Sequence, residues 1–223
     1  MGLKEIQTKW VEKFIEMRKT DEKGLLAAPF LSVPFESDFA GKLGTILLVG
    51  KATAGPWFLD DFLAKLNSSS GFSDVAEERR SVTLEHLKSR KEKVRSPSAF
   101  WRFWESLGEV GSPVIWTNLA KIGVIQGNPN PAQLDAQAEL ACETLKAEID
   151  EYKPALVVIA SDYAKEQIIY PVFGERSRWH EHDDGVCWID RTDSYPAILW
   201  TDHPERKKKT DLFSWLKKAR EII

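Results

Sequence analysis

An apolar run that stops on an amide, Val114-Ile115-Trp116-Thr117-Asn118, carries the most usable chemistry in this chain. Gly111-Ser112-Pro113 precedes it, so the run reads as a buried strand with Asn118 at its carboxyl end. A carboxamide offers an acceptor oxygen and two donor hydrogens, which suits it to reading the edge of a nucleobase. The alternative is a turn residue that hydrogen-bonds its own backbone. Aromatics at loop ends, such as Trp57 and Phe58, suit stacking on a flat ligand. Core packing accounts for most of the nine Trp and eleven Phe. His180 and His182 alternate within an acidic stretch, but metal ligands come in complete sets and no further partner stands at ligand spacing. That stretch reads as a polar surface loop, and no metal is expected. A nucleophilic serine lacks its Gly-x-Ser-x-Gly elbow, and Gly50-x-x-x-x-Gly55 lacks the Lys-Ser/Thr of a phosphate-binding loop.

The elements that must position Asn118 follow from hydrophobic pattern. Ile6, Trp10, Phe14 and Met17 form the stripe of an amphipathic helix over 4–20. Residues 25–41, with Pro29 and Pro34, read as a connecting loop. Ile46–Val49 is a buried strand, and Phe58, Phe62 and Leu66 mark a short helix. The charged stretch 74–95 reads as a solvated helix and loop, the alternative being a local phosphate-contacting patch; His86 within it is expected to be exposed. Ser96 or Ser98 caps a helix carrying Phe100, Trp101, Phe103 and Trp104. Residues 132–151 are a helix with Leu134, Ala138, Ala141, Leu145 and Ile149 inward. Strands follow at 155–160 and 197–200, with a helix from 161 to about 169, strand-like pieces around 186–189, and a last helix over 211–222. Short apolar strands alternating with helices predict a three-layer α/β/α fold around a mainly parallel four-stranded sheet. The whole chain, 1–223, reads as one domain with residues 1–43 packed on it. Such a sheet gathers loops 50–57, 117–123, 160–163 and 201–204 at one edge.

Net charge is −3, so the global balance does not advertise phosphate binding. Two cysteines cannot build a disulfide framework, and reduced thiols fit a cytoplasmic protein. Neither a signal peptide nor an apolar run of about 18 residues is visible, so no membrane span is expected.

Taken in order, four segments resemble the uracil-DNA glycosylase superfamily over about residues 44 to 217. Val49-Gly50-Lys51-Ala52-Thr53-Ala54-Gly55 is similar to its first motif, and Trp116–Lys121 to its strand ending in an Asn that contacts the base. The Cys142 helix followed by Tyr152-Lys153-Pro154 and strand 155–159 resembles its helix, turn and strand. Thr201-Asp202-His203-Pro204 resembles its His-Pro motif. The resemblance implies hydrolysis of the N-glycosidic bond of uracil or a modified base in DNA. It makes Asn118 the base reader, with Gly50, Lys51, Trp57 and Phe58 around the base. It makes His203 the stabiliser of the leaving base, with Thr53 or Asp202 as the group that holds water or orients the histidine. The implied partner is DNA, with Arg206, Lys207 and Lys208 available to phosphates.

The chain departs from that pattern. Lys51, Ala52, Thr53 and Ala54 stand where superfamily enzymes often carry an acidic or amide side chain. Only Cys142 falls near a position of the iron–sulfur branch, so neither a cluster nor another cofactor is expected. Recognition of a base is therefore better supported than hydrolysis. Besides the enzyme, two readings stay open: a nucleobase- or DNA-binding module of weak or no activity, with defence against phage as one role, and a scaffold that keeps only the fold.

Overall fold

A computed structural model describes residues 2–21, 24–34, 44–54, 59–91, 98–108, 113–161, 163–181, 187–201, 203–204, 219 and 221. Six strands form one sheet: β1 (Ile46–Ala54), β2 (Val114–Val124), β3 (Leu156–Ala160), β4 (His180–Glu181), β5 (Cys187–Ile189) and β6 (Ala197–Thr201), in the order β2-β1-β3-β6-β5-β4. The four strands expected from their apolar runs are the parallel block β2-β1-β3-β6. The expectation of four strands is corrected to six, because β5 pairs antiparallel to β6 and β4 antiparallel to β5. β5, half-buried throughout, falls on the strand-like piece read around 186–189, while β4 is exposed and has no apolar run to betray it.

Helices cover both faces of the parallel block, so its strands read as continuous apolar runs. Along β1, Leu47 and Val49 enter one layer with Trp10 and Phe14 of α1 (Leu3–Arg18) and with Leu145 and Ile149 of α5 (Pro131–Tyr152). Ile46 and Leu48 enter the opposite layer. There they join Phe100, Trp101, Phe103 and Leu107 of α4 (Ala99–Gly108) and Leu87 of α3 (Phe72–Lys91). The short helix α2 (Leu59–Ser68) packs Phe62 edge-on against Phe14, ring centroids 5.1 Å apart. The helix after β3 begins as a π-helical turn, Lys165–Ile169, and continues as α6 (Tyr170–Phe173). The last helix expected from the sequence falls almost wholly outside the described residues.

α5 starts on a reciprocal cap. Asn130 accepts from the Gln133 backbone N–H and Gln133 accepts from that of Asn130, both at 2.9 Å, with Pro131 in the first turn. Asn130→Ala is expected to lower stability by about 1 kcal/mol, read as a shift in urea midpoint; an unchanged midpoint would show that the cap contributes nothing.

Strand β2 is longer than its apolar run. The reading that it stops at Asn118 is corrected: Asn118 pairs with Gly50, and the strand continues to Val124, so Asn118 is no turn residue. Two devices carry it onward. Segment 24–34, expected to be a plain loop, lies along its outer edge through Ala27 N–H to Gly123 O (3.0 Å), Phe30 N–H to Lys121 O (2.8 Å) and a Leu26–Val124 bridge. At the register shift between β1 and β2, the Gln137 carboxamide of α5 accepts from the Ile122 N–H and donates to the Ile122 carbonyl, each at 3.0 Å. An amide side chain thus substitutes for a strand partner where the ladder is interrupted.

The charged helix α3 is not solvated all round. Arg79 is buried, and its Nε donates to the Pro29 carbonyl at 2.6 Å, with burial pulling its pKa down to about 10. His86, expected to be exposed, is half-buried 6.2 Å from the Trp101 ring. Among the described residues, no helix is long and apolar enough to cross a membrane.

Candidate functional site

The chain crosses from one side of β1 to the other between β2 and β3, and in open parallel sheets the carboxyl ends at such a switch point form the natural crevice. Gly50 pairs with Asn118, and Ala160 pairs with Thr201. Val49 pairs with Ile159, which brings Gly50 level with Ala160. Side chains alternate along a strand, so Asn118, Gly50, Ala160 and Thr201 form one transverse row on the face that carries Leu48, Trp116, Val158 and Leu199. Two polar side chains therefore flank two minimal ones, about 14 Å from end to end at the usual strand spacing.

The Asn118 carboxamide lies over Gly50. A Cβ at Gly50 would stand 2.6 Å from Asn118 Oδ1, 3.1 Å from Trp116 Nε1 and 3.2 Å from Phe100 Cε2. Glycine is required here by close approach alone. The Trp116 indole donates to Asn118 Oδ1 at 3.1 Å, and both residues are buried. Phe100 then links this corner to the last loop: its ring lies 5.7 Å from that of Trp116 and 6.1 Å from the His203 imidazole, nearly parallel to it at 15°. His203 is half-buried and Pro204 behind it is buried.

Of the residues singled out in the sequence, Gly50, Asn118 and His203 are thus gathered around Phe100. Lys51 is not. As the next residue along β1 it faces the other layer, where its ammonium sits 5.3 Å from the Tyr163 ring centroid. Tyr163 in turn donates to the Pro129 carbonyl at 2.5 Å, and burial pushes its pKa up to about 12. The side chain of Thr53, together with Trp57, Phe58, Asp202, Arg206, Lys207 and Lys208, lies outside the described residues.

Behind β2, on the face opposite Asn118, is a polar cluster that sequence reasoning missed. Lys121 Nζ donates to both Glu148 carboxylate oxygens, at 2.7 and 2.9 Å, and to Thr117 Oγ1. Thr117 donates to the same carboxylate at 2.9 Å, and Ser32 donates to Glu148 Oε1 at 2.6 Å. Tyr152 and Gln7 both donate to the Ser32 carbonyl, at 3.1 and 2.9 Å. Lys121 and Glu148 are essentially inaccessible, at 1% and 0% exposure. Burial lowers the Lys121 pKa, and Glu148 opposes that shift. The cluster joins α1, segment 24–34, β2 and α5 immediately behind the row. A signal was available: Gln137, Thr144 and Glu148 fall in phase with the apolar stripe of α5, where polar residues need buried partners.

Elsewhere, His180 lies on exposed β4, 3.2 Å from Asp190, while His182 is outside the described residues. Among the described residues no group of three or more His, Cys, Asp or Glu side chains is arranged to hold a metal ion. No disulfide joins Cys142 and Cys187.

Comparison with known proteins finds no matching family model and no matching curated relative.

Proposed function

We propose that the protein is a uracil-DNA glycosylase-like hydrolase that takes a single base of DNA against Asn118 and cleaves its N-glycosidic bond. The observation that carries the reading is the placement of the Asn118 carboxamide over Gly50, one aromatic ring away from His203. In the reaction, water oxygen bonds to the sugar C1′, the bond to the base nitrogen breaks, and the departing base carries the electron pair until it gains a proton. A neutral imidazole N–H held near that base stabilises its developing negative charge. Asn118 hydrogen-bonds the base edge, and a flipped nucleotide needs a snug pocket for its base.

A second reading, base recognition without efficient hydrolysis, is favoured by one observation. Lys51 is turned to the opposite face from Asn118, and the segment offers no carboxylate to position water.

The test is incubation of purified protein with oligonucleotides carrying uracil, hypoxanthine or oxidised bases, followed by alkali to reveal abasic sites. Cleavage that falls about 10²–10³-fold in His203→Ala supports the enzyme. Binding without cleavage, weakened in Asn118→Ala, selects the second reading. Neither binding nor cleavage by wild type rejects both.

A further inference from the structure

The chain has only four Asn and five Gln, against 31 Lys and Arg and 34 Asp and Glu. Four of those nine carboxamides, Gln126, Asn128, Asn130 and Gln133, line one cleft. A surface drawn from this composition would carry charges there instead, so the concentration calls for a reason specific to the cleft.

The cleft holds about 600 Å³ between the end of α1, segment 24–34, the end of β2 and the start of α5. That is within the roughly 300–1,000 Å³ of small-molecule sites. Met17, Leu26 and Val124 form its buried floor, and Leu25 lines it while remaining 41% exposed. The floor belongs to the layer of α1 and α5, on the opposite face of the sheet from the Asn118 row, so the cleft is independent of the nucleobase reading. Its walls are held before any ligand arrives. Asp21 accepts from the Leu26 N–H at 2.9 Å, the Ile125 N–H donates to the Leu25 carbonyl at 2.7 Å, and the Tyr163 hydroxyl holds Pro129.

The carboxamides differ in what they present. Asn130 and Gln133 spend their oxygens on the reciprocal cap of α5, so each shows its NH₂ group. Gln126 and Asn128 are exposed and have no partner among the described residues, so each offers both an oxygen and an NH₂ group. The second carboxylate oxygen of Asp21 adds an acceptor. The rim therefore has both kinds of group, with donors in excess. A hydroxyl has one hydrogen to give and two lone pairs to fill, so a row of hydroxyls is its complement. An anion calls for a cation and a nucleobase for a ring to stack on, and neither is present among the described residues that line the cleft.

We infer that this cleft binds a neutral polyhydroxylated ligand, a mono- or disaccharide. Its hydroxyls meet the four carboxamides, and its C–H face lies against Leu25.

The experiment follows the side-chain NH₂ signals of the isotope-labelled full-length protein by NMR during titration with maltose, cellobiose, lactose, chitobiose and trehalose. Inorganic phosphate and uridine probe the other chemistries. At least one disaccharide is expected to shift the signals of Gln126, Asn128, Asn130 and Gln133 with a Kd of about 1 mM, since each hydrogen bond to it replaces one to water. Gln126→Ala and Asn128→Ala are each expected to weaken that binding about three- to tenfold. Both residues are exposed, so the fold is kept. Asn67→Ala, which removes an exposed carboxamide outside the cleft, is expected to leave binding unchanged.

Failure of every disaccharide to shift these signals overturns the inference, as does binding at full strength in both cleft variants. Equal weakening in Asn67→Ala would mark the loss as general and overturn the assignment to the cleft. Shifts of the same signals by phosphate or uridine, with none by the sugars, overturn the ligand class. None of these outcomes bears on Asn118.

Discussion

Lys121→Ala is expected to cost about 3–5 kcal/mol of unfolding free energy, because it leaves the Glu148 carboxylate buried without its counter-charge. Glu148 has no exposed surface to relieve it. Its remaining donors, Thr117 and Ser32, are neutral hydroxyls. The same logic predicts an asymmetry. The double variant Lys121→Met with Glu148→Leu removes both charges and fills the space with apolar atoms, and it is expected to recover most of the loss. Urea unfolding of wild type and both variants checks this. A single variant within about 1 kcal/mol of wild type, the scale of an exposed ion pair, would mean that the pair acts as though solvated.

Gly50→Ala is expected to have the largest effect on recognition. Its backbone needs no left-handed conformation, so the substitution acts only through the added methyl. That methyl would overlap Asn118 Oδ1 and crowd Trp116 and Phe100. The Asn118 carboxamide is buried and accepts from the Trp116 indole, so it cannot yield freely. Overpacking of this kind costs about 1–3 kcal/mol of stability. The larger consequence is displacement of the carboxamide, with affinity for the preferred base expected to fall about tenfold or more through a lost hydrogen bond. Thermal melting and the oligonucleotide binding assay separate the two effects. Wild-type affinity in a correctly folded Gly50→Ala protein would show that the carboxamide over Gly50 plays no part in recognition.

The parallel block was legible because strands buried on both faces announce themselves as unbroken apolar runs. Leu47 and Leu48 point into different layers yet are both apolar. The far half of β2 was not legible. A lysine at 121 looks like the solvated end of a strand, and only the fold reveals that Glu148, far along the chain, neutralises it. The antiparallel extension was legible only in part: the strand-like piece around 186–189 coincides with β5, whereas its pairing with β6 did not follow from sequence and the two exposed residues of β4 carry no pattern. At the candidate site, Asn118 was singled out from its chemistry and Gly50 from its motif, and the fold sets the one over the other. Phe100 was counted only as part of a helix stripe. Nothing in its spacing says that it reaches Gly50, Trp116 and His203 together, since those contacts join three separated parts of the chain.

The strip of chain 24–34 along β2 has a consequence for how molecules of this protein meet one another. A parallel sheet presents at each border a row of backbone groups able to recruit a foreign strand. Here the Lys121–Val124 part of one border is already occupied, with Leu26, Ala27 and Phe30 engaged to β2 and Arg79 fastening the strip from behind through Pro29. The other border ends in β4, two exposed residues of which Glu181 is ion-paired to Arg176. Where the strip lies, β2 offers no template for growth, and release of the first thirty-odd residues is the step that would open that stretch to neighbours.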